Sequence, residues 1–215
     1  MKKLIRDCTG VILAGGENSR MPILKGFIEV NGQSILRRNL SIMKNLFRNV
    51  FIVTNEPEAY SSFRVSMAGD VYTTRGPMTG ILTSLLNSPT PWVFISACDM
   101  PFINDKLIHY MASKRDKFDA VVPVLENKTE PLFAFYSKEL INSIEKNVLG
   151  GNKSLRDFLI SKRVKYVPVK EIIKIDPEAL SFINLNTPGD VELYLQTKDR
   201  KRFNRIVERR RKCSV

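Results

Sequence analysis

The chain of 215 residues is poor in the side chains that shuttle protons or hold soft metals. Its one histidine, His109, follows apolar residues in a helical pattern and reads as structural rather than as a proton relay. Its three cysteines, Cys8, Cys98 and Cys213, are widely spaced, and no Cys-x-x-Cys pair exists. That excludes a zinc ribbon and a disulfide framework. No apolar run approaches the roughly 18 residues that point to a membrane span. Residues 1–7 are interrupted by charge too early for a signal peptide, so a cytoplasmic location is expected. Two common phosphate motifs are missing as well. A Walker loop needs glycine directly before its lysine, but Leu24 precedes Lys25 and Gly26 follows it. The dinucleotide fingerprint needs spaced glycines, but Gly15 and Gly16 are adjacent.

Acidic residues are scarce at one end. Residues 198–212 hold nine basic and two acidic side chains, more than half of the formal net charge of +12. The remainder is only mildly basic, which suits a polyphosphate ligand without requiring nucleic acid. A clustered basic end binds polyanions nonspecifically. It lacks interleaved aromatics apart from Phe203, so nucleic acid is not an expected partner.

The most informative stretch present is 11–25. An apolar run through Leu13 and Ala14 reads as a buried strand and stops at Gly15-Gly16. Two glycines let the backbone turn sharply and approach a ligand. Successive amides in such a turn can hold an anion. Arg20 and Lys25 add positive charge beside it. The plain alternative is a glycine-rich strand-to-helix turn with two solvated basic residues.

Further along, Asn31-Gly32 signals a tight turn after a short extended piece at 27–30, and Ser34 is placed to cap a helix carrying Leu36, Leu40, Met43 and Phe47. Residues 50–53 read as a strand covered on both faces, ending at Thr54-Asn55. Residues 66–72 contain a short strand and Asp70, and Gly76-Pro77 opens a helix that carries Gly80 and runs to about Leu86. Residues 92–96 form another buried strand, stopped by Pro101, which leaves Asp99 at its carboxyl edge. A carboxylate there is either a helix or turn cap or a metal ligand. Strands are expected at 120–124, with 131–136 as partner, at 164–169 with Pro168 marking an edge, and from Phe182 before a Thr-Pro helix start. Residues 126–130 are placed to line a pocket. Alternating strands and helices predict an α/β domain with a mostly parallel sheet over residues 1–196, followed by a basic tail at 197–215.

Five motifs occur together in order. They are Leu13-Ala14-Gly15-Gly16 with Arg20, Met21 and Lys25; Gly76-Pro77 with Gly80-Ile81; Cys98-Asp99-Met100-Pro101; Glu130-Pro131-Leu132-Phe133; and Asn184-Leu185-Asn186-Thr187-Pro188. The set resembles the molybdenum cofactor guanylyltransferase (MobA) family of nucleotidyltransferases. The resemblance implies a three-layer α/β/α sandwich with a Rossmann-like nucleotidyltransferase fold. It implies transfer of GMP from GTP to molybdopterin, with release of pyrophosphate and use of Mg²⁺. It places Leu13, Ala14, Gly15, Gly16, Lys25, Asn55, Asp70, Gly80 and Asp99 at the nucleotide. Arg20, Lys25 and Asp99 take catalytic roles, Asp99 holds the metal, and Asn184 and Asn186 lie by the acceptor. Partner proteins of molybdenum cofactor biosynthesis are implied as well. Pro22 and Leu24 depart from the family's usual glycine and aspartate. They keep open a related enzyme that uses CTP or another nucleotide with molybdopterin or with a sugar or alcohol phosphate. An inactive nucleotide-binding adaptor is a third reading.

Overall fold

The computed structural model describes residues 4–15, 24–30, 32–152, 154–187, 189, 190 and 192. Ten strands are seen among them: β1 (Cys8–Leu13), β2 (Glu29–Val30), β3 (Gln33–Ser34), β4 (Asn49–Val53), β5 (Ser66–Ala68), β6 (Trp92–Ala97), β7 (Ala120–Leu125), β8 (Lys128–Thr129), β9 (Phe133–Ser137) and β10 (Val164–Pro168). The α-helices are α1 (Ile35–Leu46), α2 (Pro57–Tyr60), α3 (Pro77–Asn87), α4 (Asp105–Ala112), α5 (Ile141–Leu149), α6 (Leu155–Ile160) and α7 (Val169–Ile172).

The main sheet runs β10-β7-β9-β6-β1-β4-β5, with β8 paired to β7. β9 is antiparallel to both of its neighbours, and the other strands on this path are parallel to one another. Side chains alternate across β1 and sort the core into two clusters. Ile12 packs with Leu36, Leu40 and Met43 of α1 and with Leu107, Ile108 and Met111 of α4. Val11 and Leu13 pack with Ile81, Leu82 and Leu85 of α3, with Ile144 of α5 and with Phe158 of α6. The sheet is thus the middle of three layers, because both of its faces are apolar and each needs a helical cover.

Local chemistry explains most boundaries. Ser34 caps α1 by accepting from the Arg37 N–H at 3.4 Å, and Ser154 caps α6 through the Asp157 N–H at 3.2 Å. Gly32 takes a left-handed φ of 74° in the β2–β3 turn; Asn31 lies outside the described residues. β10, which ends in Pro168, is an edge strand as its proline requires.

Three expectations need correction. The 27–30 piece is extended only at Glu29–Val30, because Lys25–Phe27 forms a 3₁₀ turn. Residue 169 leaves the last strand and opens α7. No strand starts at Phe182. Leu180–Phe182 is a 3₁₀ turn, and the following segment joins no sheet. Its alternation, with Ile183 and Leu185 buried and Asn184 exposed, comes from packing against Ile28, Val30 and Ile35. The helix expected from Val191 onward and the tail at 197–215 lie outside the described residues, as do Gly16, Arg20, Met21 and Pro22.

Candidate active site

Strand order places the site. The chain leaves β1, adds β4 and β5 on one side, and returns to lay β6 on the other. Ligands of open α/β sheets sit at the carboxyl ends of the strands where the order switches in this way. In the β1–β6 ladder Leu13 is opposite Ala97. Gly15 and Asp99 therefore each lie two residues past the last pair, on one edge. The ends of β4, β5 and β7 bring Asn55, Asp70 and the 126–130 hairpin to that same edge, where Glu126 and Asn127 form a two-residue turn with φ of 46° and 66°.

The backbone fixes the two central loops. The Cys98 N–H donates to the Leu13 carbonyl at 3.0 Å, and the Ala14 N–H donates to the Val53 carbonyl at 2.9 Å. Ala14 thus spends its amide inside the sheet, and Gly15 is the first exposed residue after the strand. Gly80 lies against the end of β1. A Cβ at Gly80 would stand 3.3 Å from Leu13 Cδ1, so the glycine lets α3 press against the end of β1.

Lys25 joins three of the sequence motifs. Its Nζ donates to Asp99 Oδ2 at 3.1 Å and to Asn186 Oδ1 at 2.6 Å. The late loop is held to the same place by the Leu185 N–H, which donates to the Asp99 carbonyl at 3.0 Å. Asn186 is turned inward and Asn184 outward, as alternation demands. The proximity of Asn186 to Lys25 could not have been read from a gap of 161 residues.

Asp99 does not cap the next helix. Asn104 does so, with its Oδ1 accepting from the N–H groups of Lys106 and Leu107 at 2.9 and 3.2 Å. Its neighbour Cys98 is inert: burial, with help from the Asp99 charge, pushes the thiol up to about 12. Among the described residues no cluster of three or more His, Cys, Asp or Glu side chains forms a cage for a metal. A lone carboxylate beside Lys25 fits a hard divalent cation that arrives with phosphate oxygens, and does not fit a soft or structural metal.

On the flank, Asn55 and Asp70 form a reciprocal pair. Asn55 Nδ2 donates to Asp70 Oδ2 at 2.9 Å, and the Asp70 N–H donates to Asn55 Oδ1 at 2.8 Å. Two supporting residues gave no sequence signal. Fully buried Asn39 of α1 donates through Nδ2 to the Met100 carbonyl at 2.9 Å, and buried Thr83 of α3 accepts from the Val71 N–H at 3.1 Å. Both read in sequence as ordinary helix residues.

A family model for the MobA-like NTP transferase domain matches residues 10–166. The chain belongs to the MobA-like NTP transferase family. A probable molybdenum cofactor guanylyltransferase of Peptoclostridium acidaminophilum is 31% identical over 207 residues, spanning 93% of this chain and 94% of the relative. The molybdenum cofactor guanylyltransferase of Desulfosudis oleivorans is 32% identical over 186 residues, spanning 86% and 92%. Among solved structures, molybdopterin-guanine dinucleotide biosynthesis protein A of Archaeoglobus fulgidus superposes with a TM-score of 0.76 at 24% identity, over 94% of this chain and 99% of that one. The 4-diphosphocytidyl-2C-methyl-D-erythritol synthase of Anaerococcus prevotii shares the fold, with a TM-score of 0.64 at 16% identity over 88% and 94%. This MobA-like chain is a nucleotidyltransferase. Among its described residues no helix is long and apolar enough to cross a membrane.

Proposed function

We propose that this MobA-like transferase moves GMP from GTP to the phosphate of molybdopterin, giving the guanine dinucleotide form of the molybdenum cofactor and pyrophosphate. The observation that carries this reading is Lys25 Nζ, held between Asp99 and Asn186 beside the Gly15 bend. The names of relatives near 30% identity over most of the chain support the same donor and acceptor.

An oxygen of the acceptor phosphate attacks the α-phosphorus of GTP. The bond from the α-phosphorus to the bridging oxygen breaks, and pyrophosphate leaves with that oxygen. A phosphate monoester is already largely dianionic near neutral pH, its second pKa being about 6, so no protein base is needed. That agrees with a site edge to which no histidine contributes. The work left to the protein is to bring two anions together and to stabilise charge. Gly15 and Gly16 offer backbone amides to the nucleotide phosphates, and Arg20 and Lys25 offset charge on the leaving side. Asn184 and Asn186 belong to the acceptor side, and Asp70, oriented by Asn55, faces the base. Asp99 would hold Mg²⁺, which neutralises phosphate charge when bound. The setting is cytoplasmic, without membrane or nucleic acid, and other molybdenum cofactor biosynthesis proteins are the expected partners.

The test is incubation with molybdopterin, Mg²⁺ and GTP, CTP, ATP or UTP in turn, following pyrophosphate. GTP is expected to support the highest rate. A higher rate with CTP would replace guanylyl with cytidylyl transfer, and release from none of the four would make the chain a nucleotide-binding adaptor.

A further inference from the structure

The segment after β5 is fastened to α3 by two threonines one helical turn apart. Thr79 Oγ1 donates to the Thr74 carbonyl at 2.6 Å. Thr83 Oγ1 accepts from the Val71 N–H at 3.1 Å and lies 3.5 Å from Asp70 Oδ1. Thr83 is fully buried. Because its oxygen already accepts from Val71, its own proton is left to point at an acceptor, and the Asp70 carboxylate is beside it. From the other side, Asn55 holds both Asp70 Oδ2 and the Asp70 N–H. The Asn55 amide is spent at both ends on this one residue. Asp70 therefore has its backbone and both carboxylate oxygens approached by fixed neighbours, while remaining only half-buried at the carboxyl edge of the sheet.

A carboxylate held in this way keeps unused lone pairs in a set plane. It is an acceptor pair with no donor to offer. Guanine presents two adjacent donors, its ring N–H and its exocyclic amino group, and matches such a pair. Cytosine presents an amino group beside an acceptor nitrogen and matches it with one bond only. We infer that Thr83 is a positioning residue for base selection. It fixes the plane of Asp70 by holding Val71 and facing Oδ1, without touching the nucleotide. This inference rests on the proposed use of GTP with Asp70 facing the base.

A purely structural Thr83 would satisfy the Val71 amide and nothing more, so melting temperature alone does not test it. The test is steady-state kinetics of Thr83→Val with GTP and with ITP, whose base lacks the exocyclic amino group. Loss of one oriented hydrogen bond should raise KM for GTP about tenfold while the saturated rate changes little. The preference for GTP over ITP in kcat/KM should shrink by a similar factor, and Thr83→Ser should restore both. If Thr83→Val does not fold, Thr83→Cys keeps the volume with a weaker donor and should shift the same two quantities less. Wild-type KM and wild-type preference in a folded Val or Cys variant would overturn the role of Thr83 and leave GTP use standing. A wild-type enzyme that favours CTP would instead remove the guanine reading itself.

Discussion

Lys25 Nζ stands 3.1 Å from Asp99 Oδ2, across 74 residues of chain. Both side chains are largely buried, at 23% and 14% exposure. Lys25 and Asp99 thus partly neutralise each other within the site.

Replacing Lys25 with Met should lower kcat by about 100-fold or more, the scale of losing one preorganised charged donor. Asp99→Asn should nearly abolish transfer while the fold persists. The two changes should not add in stability: the double variant should be less destabilised than the sum of the singles by about 0.5–3 kcal/mol, the range for groups in contact. Urea denaturation of the four proteins measures this. Strict additivity would mean that the pair does not form in solution.

Gly10 sits in β1 under the aromatic ring of Phe47. A Cβ there would lie 2.5 Å from Phe47 Cδ2 and 3.2 Å from Met43 Sδ. Gly10→Ala should cost about 1–3 kcal/mol through overpacking, read as a fall in melting temperature of about 2–4 °C per kcal/mol. An unchanged melting temperature would show that Phe47 has room to move.

Asp119 provides a pH-dependent contribution. Burial alone would raise its pKa, but hydrogen bonds and charge from Arg163 more than reverse this and hold the carboxyl below its ordinary value. Arg163 Nη2 reaches Oδ1 at 2.6 Å, and the Arg163 backbone N–H reaches Oδ2 at 3.0 Å. With the folded pKa depressed, the unfolded chain binds the proton more readily. The contribution is present above the ordinary carboxylate pKa and is lost as pH falls through the folded one. Asp119→Asn should therefore be less stable than wild type at pH 7, with a gap that closes on acidification. A gap that stays constant down to pH 2 would contradict the linkage.

Removing residues 197–215 should leave the transfer rate within about twofold, since the motifs all precede them. Surface charge of this kind acts through salt-dependent attraction to polyanions. Loss of pyrophosphate release in the truncated protein would make the tail part of the enzyme.

The late Asn-x-Asn segment shows where reading from sequence failed. Ile183 and Leu185 alternate with polar residues as in a strand, yet they pack on the small Ile28–Val30–Ile35 cluster and join no ladder. Alternation reports which side chains are buried, not what the backbone is bonded to. Asn39 was invisible for a related reason: one polar residue on an apolar helix face carries no period and no motif.

By itself the sequence determined the βα alternation and the buried first and sixth strands, because these follow from local sterics and from periodicity. Tertiary structure decided which strand ends meet. It set the ends of β1 and β6 side by side, Asn186 beside Lys25, and Thr83 beside Asp70. The Lys25–Asn186 contact joins residues 161 apart in the chain, and only the packed fold brings them within hydrogen-bonding reach.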